Sequence, residues 1–339
     1  MTLVEKLVRT YSPSGSEKNA VDVFLGELKR RGYDAYEDEA GNAIGIIGNG
    51  PIQIYLIGHI DTVPGDIPVR LDNGILYGRG SVDAKGCLAS FCEAGKQFSN
   101  SKKITLTVVG CVREETDSMG AYHLKNTLQN PDYLIIGEPS GWEGITLGYR
   151  GAMSIEYKYD CSRHHHGAPE KTPPELGIEF YTKIFGKFAS KDPAFERVSL
   201  RLVNINSYEK DGIIGVKMNM DLRTPENFNF NKFILECKKQ ARGASFVTNK
   251  PMHGILADKK NQLVRSFLGG IRKTGGKPVF KKKTGSSDMN ILADWGCPMI
   301  AYGPGDSALD HTIKEHLYIS EYDKTIEILT ISLERLGEP

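Results

Sequence analysis

The sequence has 339 residues, which is more than one hydrophobic core usually serves, so we expect two domains. Its formal net charge of +1 gives no general affinity for nucleic acid or for an anionic membrane, and neither partner is expected. No apolar run approaches the ~20 residues of a membrane-spanning helix. Residues 1–6 are charged and unlike a signal peptide, and six cysteines without a Cys-x-x-Cys pair predict buried free thiols and a cytoplasmic location.

Strand and helix patterns alternate through the first part of the sequence. Ser-Gly-Ser-Glu at 14–17 is a capping-box pattern that predicts the start of a helix, and Gly32 predicts its end. Strands and further helices follow, with the strands at 43–47, 52–57, 104–112 and 133–136 and the helices at 87–98 and 118–128. This alternation predicts an α/β domain whose mixed sheet carries helices on both faces.

The pattern changes near residue 150, where a β-α-β-β-α-β succession begins. Its elements are predicted at 153–159, 174–188, 198–205, 213–222, 231–242 and 245–248. This order predicts a small α+β sandwich at 150–251, inserted into a discontinuous domain made of 1–149 and 252–339. The α/β pattern then returns, with a helix at 262–273 and a strand at 297–301.

Histidines and carboxylates follow three of the predicted strands. Two more such residues lie in loops, one between the first two of these strands and one near residue 311. In chain order they are His59 and Asp61, Asp83, Glu114 and Glu115, Glu138, and His311. Ligands gather at the carboxyl ends of strands in open α/β sheets, so we expect these side chains to converge. Two histidines with several carboxylates suit two divalent metal ions that share a water molecule.

Each of these residues also has an ordinary structural interpretation. His59 could be a satisfied core histidine, Asp83 a helix N-cap, and Glu138 a turn residue. Glu114 and Glu115 alone would more often be a solvated acidic pair before a helix. Their occurrence together, in this order, favours the metal site.

The ordered set resembles the M20 family of di-metal amidohydrolases. The segments that carry the resemblance are Gly-His-Ile-Asp-Thr-Val-Pro-Gly at 58–65, Gly-Ser-Val-Asp-Ala-Lys-Gly at 80–86, and Glu-Pro-Ser at 138–140. The resemblance implies that His59 and Glu138 bind one metal ion, that Glu115 and His311 bind the other, and that Asp83 bridges them. Nitrogen and oxygen ligands admit zinc, which we favour, or cobalt or manganese.

The resemblance also assigns roles beside the metal ions. Asp61 would accept a hydrogen bond from the second ring nitrogen of His59 and so fix its tautomer. Glu114 would be the general base that takes a proton from the attacking water. The Gly-Arg-Gly at 78–80 suggests a phosphate loop, but its spacing fails the nucleotide-binding patterns, so nucleotide binding is rejected.

In the family the inserted domain is a lid and dimerisation domain, which implies a homodimer or higher homo-oligomer. A lid histidine reaches the active site, often that of a partner subunit, and helps to polarise the scissile carbonyl. The spacing to Pro169 fits His165 best, with His164 as the alternative among three consecutive histidines. An exposed His-rich turn or an adventitious metal site also explains the run.

Three further residues are candidate substrate contacts. Arg223 would bind a substrate carboxylate, a role suited to a bidentate guanidinium, although a salt bridge to Asp221 or Glu226 explains it nearly as well. Ser286 and Ser287 lie in a polar, glycine-containing loop that resembles the family's substrate-pocket loop.

One branch of the family is most similar: the hydrolases that release lysine or ornithine from the terminal Glu side chain of an acidic amino-group carrier protein, in lysine and arginine biosynthesis. The alternatives are a small-molecule N-acyl-amino-acid deacylase of the acetylornithine or succinyl-diaminopimelate type, or a dipeptidase. A catalytically silent binding module is disfavoured because Glu114 is retained. The basic run at 273–283 is either a docking patch for the acidic carrier or a solvated face.

Overall fold

A computed structural model describes residues 1–165, 167 and 169–338. The chain forms two compact units. The first contains Met1–Gly148, Ala257–Lys282 and the residues from Ser287 onward, and the second contains Tyr149–Leu256 and Lys283–Ser286. The domain boundaries predicted from the sequence lie at 149/150 and 251/252. In the structure the second unit extends to Leu256 and also includes the short segment Lys283–Ser286.

The elements are numbered in chain order over both units. The strands are β1 (Asp34–Glu37), β2 (Ala43–Gly48), β3 (Ile52–His59), β4 (Arg70–Asp72), β5 (Ile75–Tyr77), β6 (Ile104–Cys111), β7 (Tyr133–Gly137), β8 (Gly144–Tyr149), β9 (Gly151–Ser162), β10 (Ser199–Lys210), β11 (Ile213–Thr224), β12 (Ser245–Thr248), β13 (Ile255–Leu256), β14 (Val279–Lys283), β15 (Met299–Ala301) and β16 (His316–Tyr318). The helices are α1 (Leu3–Arg9), α2 (Lys18–Arg30), α3 (Lys85–Gly95), α4 (Met119–Thr127), α5 (Pro173–Phe188), α6 (Phe230–Gln240), α7 (Gln262–Lys273), α8 (Asp288–Leu292) and α9 (Ile319–Leu336), with 3-10 turns at Lys96–Phe98, Ala293–Trp295 and Ser307–Leu309.

A mixed sheet forms the centre of the first unit, and the predicted α/β fold is confirmed. Its strands follow the order β1-β2-β6-β3-β7-β15-β8, and β14 pairs with β8. β3 runs parallel to β6 and β7, while β2 runs antiparallel to β6. Helix α3 packs on β3 and β6, α2 packs on β1 and β2, and α7 packs on β15. Buried apolar side chains from these elements form one core.

The register of the parallel strands determines where the site lies. Gly58 at the end of β3 pairs with Gly110 of β6 on one side and with Gly137 of β7 on the other. The residues that follow these three strands therefore leave the sheet at the same edge. Because this is the carboxyl edge, polar side chains after β3, β6 and β7 lie close together.

The second unit contains the predicted β-α-β-β-α-β order. Its antiparallel sheet has the strand order β10-β11-β9-β12. Helices α5 and α6 cover this sheet with a separate core that includes Met153, Tyr157, Phe180 and Phe233. The second unit is therefore an α+β sandwich with its own hydrophobic interior.

The predicted capping box at 14–17 is wrong. Helix α2 begins at Lys18, and Glu17 at its N-cap makes no side-chain capping hydrogen bond. The Glu17 carboxylate instead accepts the N–H of Gly15 at 2.8 Å, and the Ser14 hydroxyl donates to Asp61 at 2.5 Å. The pattern marks the helix start correctly, but its side chains serve a loop beside the candidate site.

No disulfide joins the six cysteines, which all lie in the described residues, and four of them (Cys87, Cys92, Cys111 and Cys237) are buried. Burial raises the pKa of the Cys92 and Cys237 thiols to about 12, so both remain protonated at neutral pH. Across the described residues, every helix is too short or too polar to cross a membrane.

Candidate metal centre

Three predicted ligands come together at the carboxyl edge of the first sheet. One ligand atom from each of His59, Asp83 and Glu115 lies within 4.8 Å of the other two. His59 ends β3 and is buried, and its Nε2 atom lies 3.0 Å from Oδ1 of Asp83. A cluster of one imidazole and two carboxylates is a donor set suited to a divalent metal ion.

His311 joins this cluster from the far end of the chain. Its Nε2 atom lies 3.1 Å from Oδ2 of Asp83 and 3.0 Å from Oε2 of Glu115. His311 has φ of 61°, a left-handed conformation that is uncommon outside glycine. The two oxygens of Asp83 thus face two different imidazoles, which is the arrangement a bridging carboxylate requires.

The charges in this cluster favour a cation at its centre. Hydrogen bonds with Asp83 and Glu115 raise the pKa of His311 to about 10. Burial alone would lower the pKa of His59, but hydrogen bonds with Asp61 and Asp83 outweigh it and raise that pKa well above its ordinary value. The carboxylates that hold these protons would equally attract a divalent ion.

Glu138 follows β7 and is buried at the same edge. Its charge is close enough to Glu114 to raise the pKa of the Glu114 carboxyl. The structure therefore brings Glu138 to the site beside Glu114, while the tightest grouping of ligand atoms is that of His59, Asp83 and Glu115.

The Asp61 carboxylate holds the turn that carries the two adjacent glutamates. Its Oδ1 accepts the N–H of Glu114 and its Oδ2 accepts the N–H of Glu115, both at 3.1 Å. Arg113 and Ser118 in this turn have φ of 64° and 52°. Because such angles are disfavoured for residues with side chains, the turn needs these contacts to keep its shape.

The contact between Asp61 and His59 runs mainly through the main chain. Nδ1 of His59 lies 2.9 Å from the carbonyl oxygen of Asp61 and 3.5 Å from its Oδ1. With Nδ1 as the donor, the ring presents Nε2 to Asp83. The carbonyl thus orients the imidazole, while the Asp61 carboxylate accepts from the Glu114–Glu115 turn and from Ser14 and also helps to raise the pKa of His59.

Glu114 has an environment that strengthens its basicity. Burial raises the pKa of its carboxyl well above the ordinary value, and the charges of Glu138, Asp288 and Glu115 add to this, while His59 opposes it. A carboxylate with a raised pKa accepts a proton more readily, which suits a general base.

Asp288 is a buried carboxylate at this site that the sequence analysis did not select. It begins helix α8 after the N-cap Ser287, and its carboxyl is close enough to Cys111 and Ser118, at the two ends of the glutamate turn, for both to influence its pKa. Burial raises its pKa to about 7. The Ser-Asp pair at a helix start was the available signal, but it indicates a cap and not the distant partners.

The predicted substrate residues are all in defined contacts. Nη1 of Arg223 donates to the Ser286 hydroxyl at 2.9 Å. Asp221, one of its suggested ion-pair partners, accepts from the Ser154 hydroxyl. The Ser287 hydroxyl caps α8 by accepting the N–H of Met289 at 3.2 Å. Arg223 and Ser286 are thus paired with each other, whereas Ser287 serves a helix.

The histidine run lies after β9 in the second unit. His165 is exposed, and its Nδ1 accepts the N–H of Gly167 at 3.1 Å, while His164 is partly buried. His166 lies outside the described residues.

The fold and the clustered side chains define a class: an α/β protein with an imidazole–carboxylate centre at the carboxyl edge of its sheet. The chain belongs to peptidase family M20/M25/M40, whose family model matches residues 55–335.

Two relatives match nearly the whole chain. A Thermococcus kodakarensis protein, provisionally named a LysW-lysine/LysW-ornithine hydrolase, is 41% identical over 98% of this chain and 91% of its own length. The LysW-lysine hydrolase of Deinococcus radiodurans is 38% identical over 98% of this chain and 96% of its own.

Solved structures share the fold at low identity. An M20 family metallo-carboxypeptidase from Sulfolobus solfataricus has a TM-score of 0.82 at 15% identity and covers 98% of each chain. The aminopeptidase PepT of Bacillus cereus has a TM-score of 0.79 at 20% identity, covering 99% of this chain and 97% of its own.

Proposed function

We propose that the protein is a metal-dependent amidohydrolase that releases lysine or ornithine from the carrier protein LysW, in lysine or arginine biosynthesis. The observation that carries the chemistry is the position of Asp83 between His59 and His311, with Glu114 beside them. The named activities of the full-length relatives supply the substrate class.

The proposed metal assignment follows the resemblance to the M20 family, and the nitrogen and oxygen donors of the site suit it. His59 and Glu138 would hold one ion, Glu115 and His311 the other, and Asp83 both. Zinc fits these nitrogen and oxygen donors best, and cobalt or manganese are the alternatives. Two such ions would lower the pKa of a water molecule towards ~7 and polarise the amide carbonyl.

The protein's own residues would move the protons and orient the groups. Glu114 takes a proton from the attacking water and then delivers it to the leaving amine. Asp61 keeps Glu114 in place through the main-chain N–H groups. His165 is proposed to donate to the oxygen of the scissile carbonyl as negative charge develops there.

Substrate recognition is proposed to use Arg223, Ser286 and Ser287, with the Arg223 guanidinium binding the carboxylate of the released amino acid. The exposed lysines at 273–282 would attract an acidic carrier surface. Cysteines that form no disulfide favour a reducing, cytoplasmic compartment.

One set of incubations tests the substrate class. Metal-loaded protein is mixed with LysW–lysine, LysW–ornithine, N-acetylornithine and succinyl-diaminopimelate, and the released amine is quantified. We expect the carrier conjugates to be cleaved with the highest kcat/KM. A clear preference for N-acetylornithine or succinyl-diaminopimelate would move the protein to the small-molecule deacylases, and absence of cleavage with all four would contradict the proposal.

A further inference from the structure

Glu315 is a buried carboxylate that contacts the loop of Asp83. It immediately precedes β16, and its side chain is 0% exposed. Its Oε1 atom accepts the N–H of Val82 at 3.0 Å and the N–H of Asp83 at 3.1 Å. The main chain of Asp83 is therefore attached to a side chain more than two hundred residues away in the sequence.

The other oxygen of Glu315 binds a buried arginine. Oε2 accepts a hydrogen bond from Nη1 of Arg79 at 2.8 Å, and Nε of Arg79 donates to the carbonyl of Gly65 at 3.0 Å. The guanidinium thus ties Glu315 to the loop after His59 as well. In the Gly-Arg-Gly at 78–80, the arginine holds a carboxylate of the same chain and not a phosphate.

The surrounding backbone leaves the Asp83 loop little room to move. The N–H of Gly78 donates to the carbonyl of Glu315, because β16 pairs with β5 next to it. Gly80 has φ of 83°, and a Cβ atom there would lie 2.8 Å from the Cγ2 of Thr62. The loop is therefore packed closely around the Glu315 carboxylate.

We propose that Glu315, with Arg79 as its counter-ion, is a positioning residue that fixes Asp83 between His59 and His311. Its side chain holds the main chain of Asp83, and its own main chain continues from His311 four residues earlier. Glu315 therefore sets the distance between a bridging ligand and a terminal ligand. This inference rests on the metal centre in the proposed function.

The competing interpretation is a structural ion pair that stabilises the fold without affecting the metal ions. Buried ion pairs often do no more than this. The two interpretations predict different effects when one hydrogen-bond acceptor of Glu315 is removed. A positioning role lowers metal affinity in a folded protein, whereas a structural role lowers only the stability of the metal-free protein.

Glu315→Gln is the most informative substitution. Glutamine has one acceptor oxygen and one donor NH₂, whereas Glu315 uses one oxygen for Arg79 and the other for the two main-chain N–H groups. In either orientation the NH₂ group faces a donor, so one set of contacts is lost. Arg79→Met combined with Glu315→Gln removes this conflict, because the glutamine oxygen can then face the Val82 and Asp83 N–H groups.

A matched control is available in the same unit. Oε1 of Glu321 accepts the N–H of Trp142 at 3.0 Å and the N–H of Gly305 at 3.1 Å. One oxygen makes both contacts, so a glutamine can retain them. Glu321→Gln should leave metal affinity within about twofold of the wild type.

The measurement is titration of the metal-free protein with Co²⁺ alone, followed by visible absorption, with Zn²⁺ affinity determined by chelator competition. Thermal unfolding of the metal-free proteins identifies a temperature at which each is folded. We expect Glu315→Gln to bind Co²⁺ and Zn²⁺ about 10- to 100-fold more weakly, with an altered Co²⁺ spectrum. The double variant should recover most of the affinity. If Glu315→Gln does not fold, the double variant and Arg79→Lys are compared with the wild type, and Arg79→Lys should show a smaller loss.

Two failures are distinguishable. The positioning role would be overturned if Glu315→Gln had the same Co²⁺ affinity and the same Co²⁺ spectrum as the wild type and differed only in a lower unfolding temperature of the metal-free protein. A wild-type protein that binds Co²⁺ no more tightly than His59→Ala would instead overturn the proposed metal centre itself.

Discussion

The main chain and the side chain of Glu114 both have defined surroundings. Its N–H donates to Asp61, and its carboxyl lies near other acidic groups. We predict that Glu114→Gln lowers kcat by ~10²–10⁴-fold, since the isosteric amide cannot take a proton from water. Metal content and unfolding temperature should stay near the wild-type values. Steady-state kinetics with metal analysis tests this, and near-native turnover would mean that another residue activates the water.

His164 and His165 in the histidine run of the second unit can be distinguished by substituting each in turn. Because Nδ1 of His165 accepts the Gly167 N–H, the neutral ring carries its proton on Nε2 and can donate to a carbonyl oxygen. We predict that His165→Ala lowers kcat by ~10²–10³-fold, as loss of an oxyanion donor does, without loss of metal. Glu115→Ala, in contrast, should impair metal retention.

His164→Ala is the matched control for His165→Ala. It should keep most of the wild-type turnover. If His164→Ala lowers turnover and His165→Ala does not, then His164 and not His165 is the histidine that acts on the substrate carbonyl.

At the level of elements, Glu27 joins the first two helices. It lies on α2 and binds Lys6 of α1 at 2.9 Å, together with Arg30 at the end of α2 and Arg31 at its C-cap. Burial alone would raise the pKa of Glu27, but these three cations outweigh it and lower the pKa to about 2. A depressed pKa stabilises the fold above the ordinary pKa near 4.5, and the stabilisation disappears as the pH falls to about 2.

We therefore predict that Glu27→Gln lowers the free energy of unfolding at pH 7 by roughly 1–3 kcal/mol. The difference from the wild type should shrink as the pH falls from 4.5 towards 2. Urea unfolding at several pH values measures it. Asp22→Asn breaks an exposed pair with Lys18 on the same helix and should cost under ~1 kcal/mol. A difference that is constant with pH would contradict the linkage.

Strand β14 and the residues before it present lysines to solvent. Lys277, Lys281 and Lys282 are exposed, whereas Lys283 lies over the ring of Tyr149. We predict that reversing the three exposed lysines to Glu lowers kcat/KM for the carrier conjugate about 10- to 100-fold at low salt, because long-range attraction raises the association rate. Hydrolysis of a small acyl-lysine should be unchanged.

Reversal of Lys232, Lys238 and Lys239 to Glu on α6 is the charge-matched control and should have little effect on either substrate. Added salt should lower the wild-type rate towards that of the β14 variant, since the screening length is ~8 Å at physiological ionic strength. Equal losses for carrier and small substrate would show that the lysines are a solvated face.

Long helices and strands whose apolar residues recur at regular spacing could be predicted from the sequence. Helix α7, for example, begins and ends where the sequence predicts a helix, at 262 and 273. Helix α9 was not predicted, because polar residues interrupt its apolar face. Thr325 and Ser332 are buried on that face, and the Thr325 hydroxyl bonds to the carbonyl of Glu321. The three-residue strands β4, β5 and β16 are too short to show a period.

The candidate site shows the same division. His59, Glu114 and Glu138 lie close together because each follows a strand and the three strands pair in parallel. The sequence can indicate both features. The contacts of Asp61 with the glutamate turn and of Glu315 with Asp83 join a side chain to distant main-chain groups. Such contacts depend on the packed structure and leave no local pattern in the sequence.

At the scale of the whole molecule, β10 lies at one edge of the second unit's sheet, and within the described part of the chain β11 is its only partner strand. β10 is the outer strand, and Val203 and Ile205 on it are 53% and 38% exposed. An exposed apolar edge strand pairs readily with another chain, so we predict a homodimer through β10. Val203→Lys with Ile205→Lys should halve the mass measured by sedimentation. Val247→Lys on β12 is the control and should not change the mass, because β12 has 4 residues and offers a much shorter edge than the 12 residues of β10.

The first unit is assembled from separated segments, and this has a consequence for synthesis on the ribosome. The second unit has its own core and can fold while the chain is still emerging. The sheet of the first unit, however, lacks β15 between β7 and β8 until residue 301 has been translated, and α3 lacks its cover from α9 until residue 336 has been translated. We therefore expect the nascent first unit to expose apolar surface until these elements emerge, and such surface promotes aggregation. Of the proposed metal ligands, His311 is the last to be translated, so under this proposal the complete ligand set forms only after the other four have emerged.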